Sequence, residues 1–109
     1  MTTITITKTS NDSYKSIECN GHAGFADYGN DIVCSAISVL TINLINSIES
    51  FTEDAISVDQ DSNQGLIRLV FDGEPSRDAD LLLKSFQLGV DSIFHQYGKK
   101  FLNIKFRRE

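Results

Sequence analysis

The chain has 109 residues and a mass of 12.1 kDa, enough for one domain (residues 1–109) around one core and too little for separate catalytic and substrate domains. Ten Lys and Arg against fifteen Asp and Glu leave a net charge of −5, which argues against direct nucleic-acid binding and suits a basic partner. A hydrophobic content of 40% with a single proline excludes a disordered or linker-like chain.

Residues 2–8 alternate Thr and Ile with period two, the pattern of a strand with one buried face. Thr9-Ser-Asn-Asp-Ser is turn chemistry, and residues 14–19 resume the alternation, so the two runs predict a hairpin. In the second run Tyr14, Ser16 and Glu18 fall on one face, with Lys15, Ile17 and Cys19 on the other. Residues 20–30 carry Gly21, Gly24 and Gly29 and read as an irregular, mobile loop.

Asn30 or Asp31 then offers a side-chain oxygen as N-cap for a helix that runs to about Ser50. Its apolar residues from Ile32 to Ile48 cover more than one stripe, so it is expected to pack on a sheet and on a second helix. Ser, Thr and Asn interrupt the run, which falls short of the roughly 20 predominantly apolar residues of a membrane span.

Residues 55–59 and 65–72 read as two further strands joined by the polar turn Gln60-Asp-Ser-Asn-Gln-Gly. Ser76 caps a second helix, with Asp78 and Asp80 favourable in its first turn. An amphipathic stripe from Ala79 to Tyr97 follows, Gly98 stops it, and residues 101–107 alternate as a last strand. The basic residues from Lys99 to Arg108 read as strand ends and a solvated terminus. The order ββαββαβ with tight turns predicts an α+β two-layer sandwich: a mostly antiparallel sheet with two helices on one face.

The chemistry concentrates between Gly21 and Ser38. With Asp31 as N-cap, Cys34 would be the third residue of the helix, where the free N–H groups favour a thiolate and could bind an oxyanion. The Asp31 carboxylate opposes this, since negative charge beside the sulfur favours the thiol; it is read more easily as fixing the first turn or orienting a histidine. His22, in the glycine-bearing loop, has the intrinsic pKa to take a thiol proton and return it to a leaving amine. Ser38 lies one turn beyond Cys34 on the same face, placed to hydrogen-bond into the site or back to the Cys34 carbonyl. On residue chemistry alone Cys34 is equally a packed core cysteine. Cys19, His22 and Cys34 match no familiar zinc spacing, so no metal or other cofactor is expected. Cys19 reads as a strand core residue and His95 as a half-exposed helix residue.

Gly21-His22-Ala23, a short loop, then Asp31-Ile32-Val33-Cys34 followed by Ala36 and Ser38 resembles the signature of the bacterial ribosomal-processing cysteine proteases, the Prp family. Ser35 departs from it, standing where alanine is usual. The resemblance implies a cytoplasmic, homodimeric cysteine endopeptidase that removes an N-terminal extension from the precursor of the twenty-seventh protein of the large ribosomal subunit. It implies Cys34 as nucleophile, His22 as general base, and Gly21, Asp31 and Ser38 as supporting or substrate-binding positions. The family substrate is basic, with aromatic residues before the cut. A cytoplasmic setting agrees with the absence of a charged-then-apolar opening segment, and there Cys19 and Cys34 stay reduced. Neither a nucleic acid nor a membrane is expected as a partner. The competing expectation is a non-catalytic dimeric ribosome-associated module with Cys34 packed in its helix.

Overall fold

A computed structural model describes residues 1–21, 28–63 and 65–109, the side chains of residues 28–31 excepted. The elements are β1 (Thr2–Lys8), β2 (Tyr14–Gly21), α1 (Tyr28–Phe51), β3 (Ile56–Asp61), β4 (Leu66–Phe71), α2 (Arg77–Tyr97) and β5 (Leu102–Arg108). The strands form one sheet in the order β3-β4-β2-β1-β5. Every pairing is antiparallel except that of β1 with β5, which is parallel. The expected α+β architecture and the order ββαββαβ are therefore present.

Cross-strand register explains the core. Ile4 lies opposite Cys19, Ile6 opposite Ile17, and Ile17 opposite Leu69, which aligns their side chains on one face. All five are buried, and Val33, Ile37, Leu44 and Ile48 of α1 and Leu83, Phe86 and Val90 of α2 close over that face. The opposite face presents Thr3, Thr5, Ser16 and Glu18, which are only partly covered. Ile32–Phe51 is long and apolar enough to cross a membrane by length and composition, contrary to the shorter run read from sequence. Its core-facing residues are nevertheless the ones that pack on the sheet. The helices approach closely where Gly89 meets Leu40: a Cβ on Gly89 would stand 3.1 Å from a Leu40 methyl.

Two readings change. The register slips between Thr7, opposite Ser16, and Lys8, opposite Tyr14, leaving Lys15 as an extra residue. That bulge shifts the alternation by one, so Tyr14 joins Ile17 on the helix side, is buried, and donates its hydroxyl to Gln87 Oε1 at 2.7 Å. The second change is the start of α1, at Tyr28 rather than after Asn30 or Asp31. Asp31 is the fourth helical residue, not the N-cap, and Cys34 the seventh, so it sits in the second turn. Asp and Asn suit a first turn, where carboxylate meets the positive end of the dipole, as well as a cap. The residue types alone therefore leave this boundary open.

The second helix follows its signals. The Ser76 hydroxyl accepts from the Ala79 N–H at 3.2 Å and donates to the Asp54 carboxylate, while its N–H donates to Asp54 at 2.7 Å. Such a cap contributes about 1 kcal/mol, and here it also ties α2 to the connection after α1. Gly98, at φ 84°, ends the helix with its N–H on the Phe94 carbonyl. His95 is exposed rather than half-exposed, with Nδ1 2.7 Å from the Asp91 carbonyl and its ring edge-on to Phe94.

Candidate active site

Cys34 is half-buried on α1 and opens into a cleft of about 280 Å³. Ser38 and Ile42 follow it at intervals of four on the same helical face, so one stripe of α1 forms one wall. The opposite wall is the tip of the β3–β4 hairpin, contributing Gln60, Asp61, Ser62 and Gly65, with Leu66 and Ile67 beneath. Asp61 Oδ1 accepts from the Asn63 N–H at 3.0 Å, which shapes that tip. The lining thus combines apolar side chains, polar residues of the hairpin tip and a thiol.

Gly21 closes the end beside the thiol. A Cβ built on it would stand 2.9 Å from Thr2 Oγ1, so a larger residue there would displace the Thr2 side chain, and 3.5 Å from Cys34 Sγ, an ordinary contact that places β2 beside the sulfur. Gly65 secures the hairpin against the same point. Its φ is +64°, its carbonyl accepts from the Gly21 N–H at 3.0 Å, and an added Cβ would overlap the Gly21 carbonyl. Two glycine backbones in contact therefore bring β2, the hairpin tip and Cys34 together. The Gly65 role was missed from sequence, although a glycine closing a polar turn ahead of a strand carried the signal for positive φ.

Of the predicted site residues, Gly21, Cys34 and Ser38 meet at this cleft. His22 and the greater part of the glycine-bearing loop (22–27) lie outside the described residues, as does the Asp31 side chain. The helix boundary removes one expected device. The Cys34 N–H falls within the helix ladder instead of among the free first-turn N–H groups, so the helix end does not itself supply an oxyanion site at the sulfur.

Cys19 is the contrasting thiol. It is buried, 3.0 Å from Thr41 Oγ1, while the Thr41 hydroxyl donates to the Ile37 carbonyl at 2.7 Å. With that proton committed, the Cys19 S–H is the donor to Thr41. Burial pushes the Cys19 thiol up to about 11. The stability gained from burying it neutral is present below its unfolded value and is lost as pH rises toward 11. The expected result is selective labelling. At pH 8, brief iodoacetamide treatment of the folded protein modifies Cys34 and leaves Cys19 free, read by peptide mass spectrometry, and both react in denaturant. Equal modification of the two in the folded protein would contradict this arrangement.

A family model described as "Cysteine protease Prp" matches residues 1–102. A Staphylococcus aureus protein named ribosomal processing cysteine protease Prp is 26% identical over 106 residues, covering 96% of this chain and all of the relative. Among solved structures, SMU.848 from Streptococcus mutans superposes with a TM-score of 0.87 at 26% identity, covering 100% of this chain and 99% of that one. The essential S. aureus ribosomal processing protease Prp, solved with a substrate peptide, superposes with a TM-score of 0.87 at 23% identity over the full length of both chains.

Proposed function

The chain belongs to the Prp family of cysteine proteases, and on that footing we propose that it removes the N-terminal extension from the precursor of the twenty-seventh protein of the large ribosomal subunit, using Cys34 as nucleophile and His22 as general base. The observation that carries this reading is the Cys34 thiol in the lining of a cleft, 3.5 Å from where a Cβ would stand on Gly21, the residue that precedes His22 in the chain.

In this reaction His22 takes the Cys34 proton and the sulfur attacks the scissile carbonyl carbon, forming a C–S bond and a tetrahedral oxyanion. Collapse breaks the C–N bond as the imidazolium protonates the departing amine, leaving a thioester. His22 then deprotonates a water that attacks the thioester; the C–S bond breaks, the new carboxylate leaves and the thiol re-forms. Gly21 keeps the space beside the sulfur clear, and Ser38 lies within the cleft to hydrogen-bond the peptide. The apolar lining residues Ile42, Leu66 and Ile67 suit an apolar side chain near the cut.

The reading includes a cytoplasmic homodimer. Val39 on α1 and Leu81 and Leu88 on α2 are each about two-thirds exposed on the outer helical surface, which supports a second copy there. The test is incubation of purified protein with the extended precursor, followed by mass spectrometry. A single cut that releases the extension is expected; an intact precursor after many hours at equimolar enzyme would overturn the proposal.

A further inference from the structure

Two helices do not cover five strands. At about 4.8 Å per strand the sheet is roughly 24 Å wide, against about 20 Å for two packed helices. The shortfall shows at β3. Val58 lies opposite the buried Leu69 and so points to the helix side, yet it is 36% exposed. Gln60, opposite Ile67, is exposed on that side as well. Among the described residues β3 pairs with β4 alone, at the edge of the sheet.

The backbone phase of that edge follows from one bond. The Asp72 N–H donates to the Ala55 carbonyl at 3.0 Å, which makes 55 and 72 a hydrogen-bonded pair. Antiparallel pairs alternate, so Ser57, Asp59 and Asp61 exchange bonds with β4. The N–H and C=O groups of Ile56, Val58 and Gln60 consequently face away from the sheet. This free edge leads to the cleft that holds Cys34, because Gln60 and Asp61 line both.

Charge selects what the edge would take. From Ser16 to Ile67 the chain has no Lys or Arg and eight Asp and Glu, so α1 and β3 carry acidic charge only. Asp59, across from Arg68 of β4, and Asp61 stand on β3 itself. The opposite edge, β5, bears Lys105, Arg107 and Arg108 and is remote from the cleft in the strand order.

We propose that β3 is the docking strand for substrate: an extended peptide pairs with the outward backbone groups of Ile56, Val58 and Gln60 and runs into the Cys34 cleft. The peptide alternates in character. Side chains on its helix-side face lie beside Val58 and Ile42 and are apolar; those on its other face lie beside Asp59 and Asp61 and are basic. This deepens the peptidase reading and rests on it, but recognition and hydrolysis are measured separately.

The probe is a fluorescent synthetic peptide spanning the cut in the extended ribosomal-protein precursor, bound to Cys34→Ala protein and followed by anisotropy. Adding Val58→Pro removes one outward N–H and no β4 bond, a change an edge strand accommodates. It is expected to weaken binding at least tenfold with little loss of thermal stability. Asp59→Lys is expected to weaken binding at least threefold and to flatten its salt dependence. Backbone N-methylation along the peptide gives a second reading on Cys34→Ala alone, independent of whether Val58→Pro folds. Binding should fall at alternate positions, with a period of two.

A folded Val58→Pro protein with unchanged affinity, or uniform tolerance of N-methylation, would overturn the proposal. So would loss of self-association with peptide affinity unchanged, since a second copy would then own the edge. Val58-dependent binding without any cleavage by the unaltered protein would remove the hydrolysis and leave the docking strand standing. Cleavage with a KM indifferent to Val58→Pro would do the reverse.

Discussion

Cys34→Ala is expected to cut the extended ribosomal-protein precursor at least about 10⁴-fold more slowly than the unaltered protein, because the proposed reaction runs through a thioester on this sulfur, the nucleophile assigned to His22 for activation. The fold should survive. Cys34 is only half-buried, alanine keeps the Cβ, and alanine is the better helix former. Single-turnover cleavage at excess enzyme, alongside a thermal melt, checks both halves. Processing at the normal rate by a folded Cys34→Ala protein would remove the thiol from the reaction and return Cys34 to the role of a packed residue.

The second large effect is expected at Gly65, which lines the cleft but takes part in no bond made or broken in the proposed reaction. Gly65→Ala places a Cβ on the Gly21 carbonyl and holds an L-residue at φ +64°. The backbone strain alone is about 1–2 kcal/mol, and relief of the overlap must separate the hairpin tip from β2 or break the Gly21 N–H bond to Gly65. Either displacement shifts one wall of the cleft relative to Cys34, and a misplacement of about 1 Å can cost about 10²-fold in rate. A fall in kcat/KM of that order is expected, with a melting temperature several degrees lower. Gly73→Ala is the matched control: nothing lies within 4 Å of its added Cβ, and activity and stability should not change. Equal behaviour of the two variants would show that the glycine contact does not set the site.

The parts of the fold legible in the sequence are those set by local rules. Thr-Ile alternation marked β1, the Ser76 and Gly98 signals bounded α2, and both rest on interactions within a few residues. Three features were not legible, two of them because they depend on distant partners. The bulge at Lys15 reverses Tyr14 because of where β1 pairs with β2, which the alternation within one strand does not encode. The start of α1 was open because its polar residues fit two positions in a first turn. The union of β1 with β5 joins residues about a hundred positions apart. The site divides in the same way. Cys34, Ser38 and Gly21 could be named from a compact signature, and they do converge. The facing wall could not, since Gln60, Asp61 and Gly65 reach the thiol only through a hairpin tip whose own residues look like ordinary turn chemistry.

That last pairing sets an order of events in folding. Strand β1 lies between β2 and β5, and Thr2 through Lys8 find their parallel partners only at Leu102 through Arg108. Contacts this far apart in sequence close late and slow the search for the native state. Until β5 arrives, Ile4 and Ile6 sit on a strand with one bare edge, and the Thr2 N–H lacks the Phe101 carbonyl that receives it at 3.1 Å. Thr2 is also the residue packed beside Gly21, next to the sulfur. The surroundings of Cys34 are therefore completed only when β5 is in place, and a nascent chain holding every residue of the proposed dyad would still lack the neighbour that steadies it.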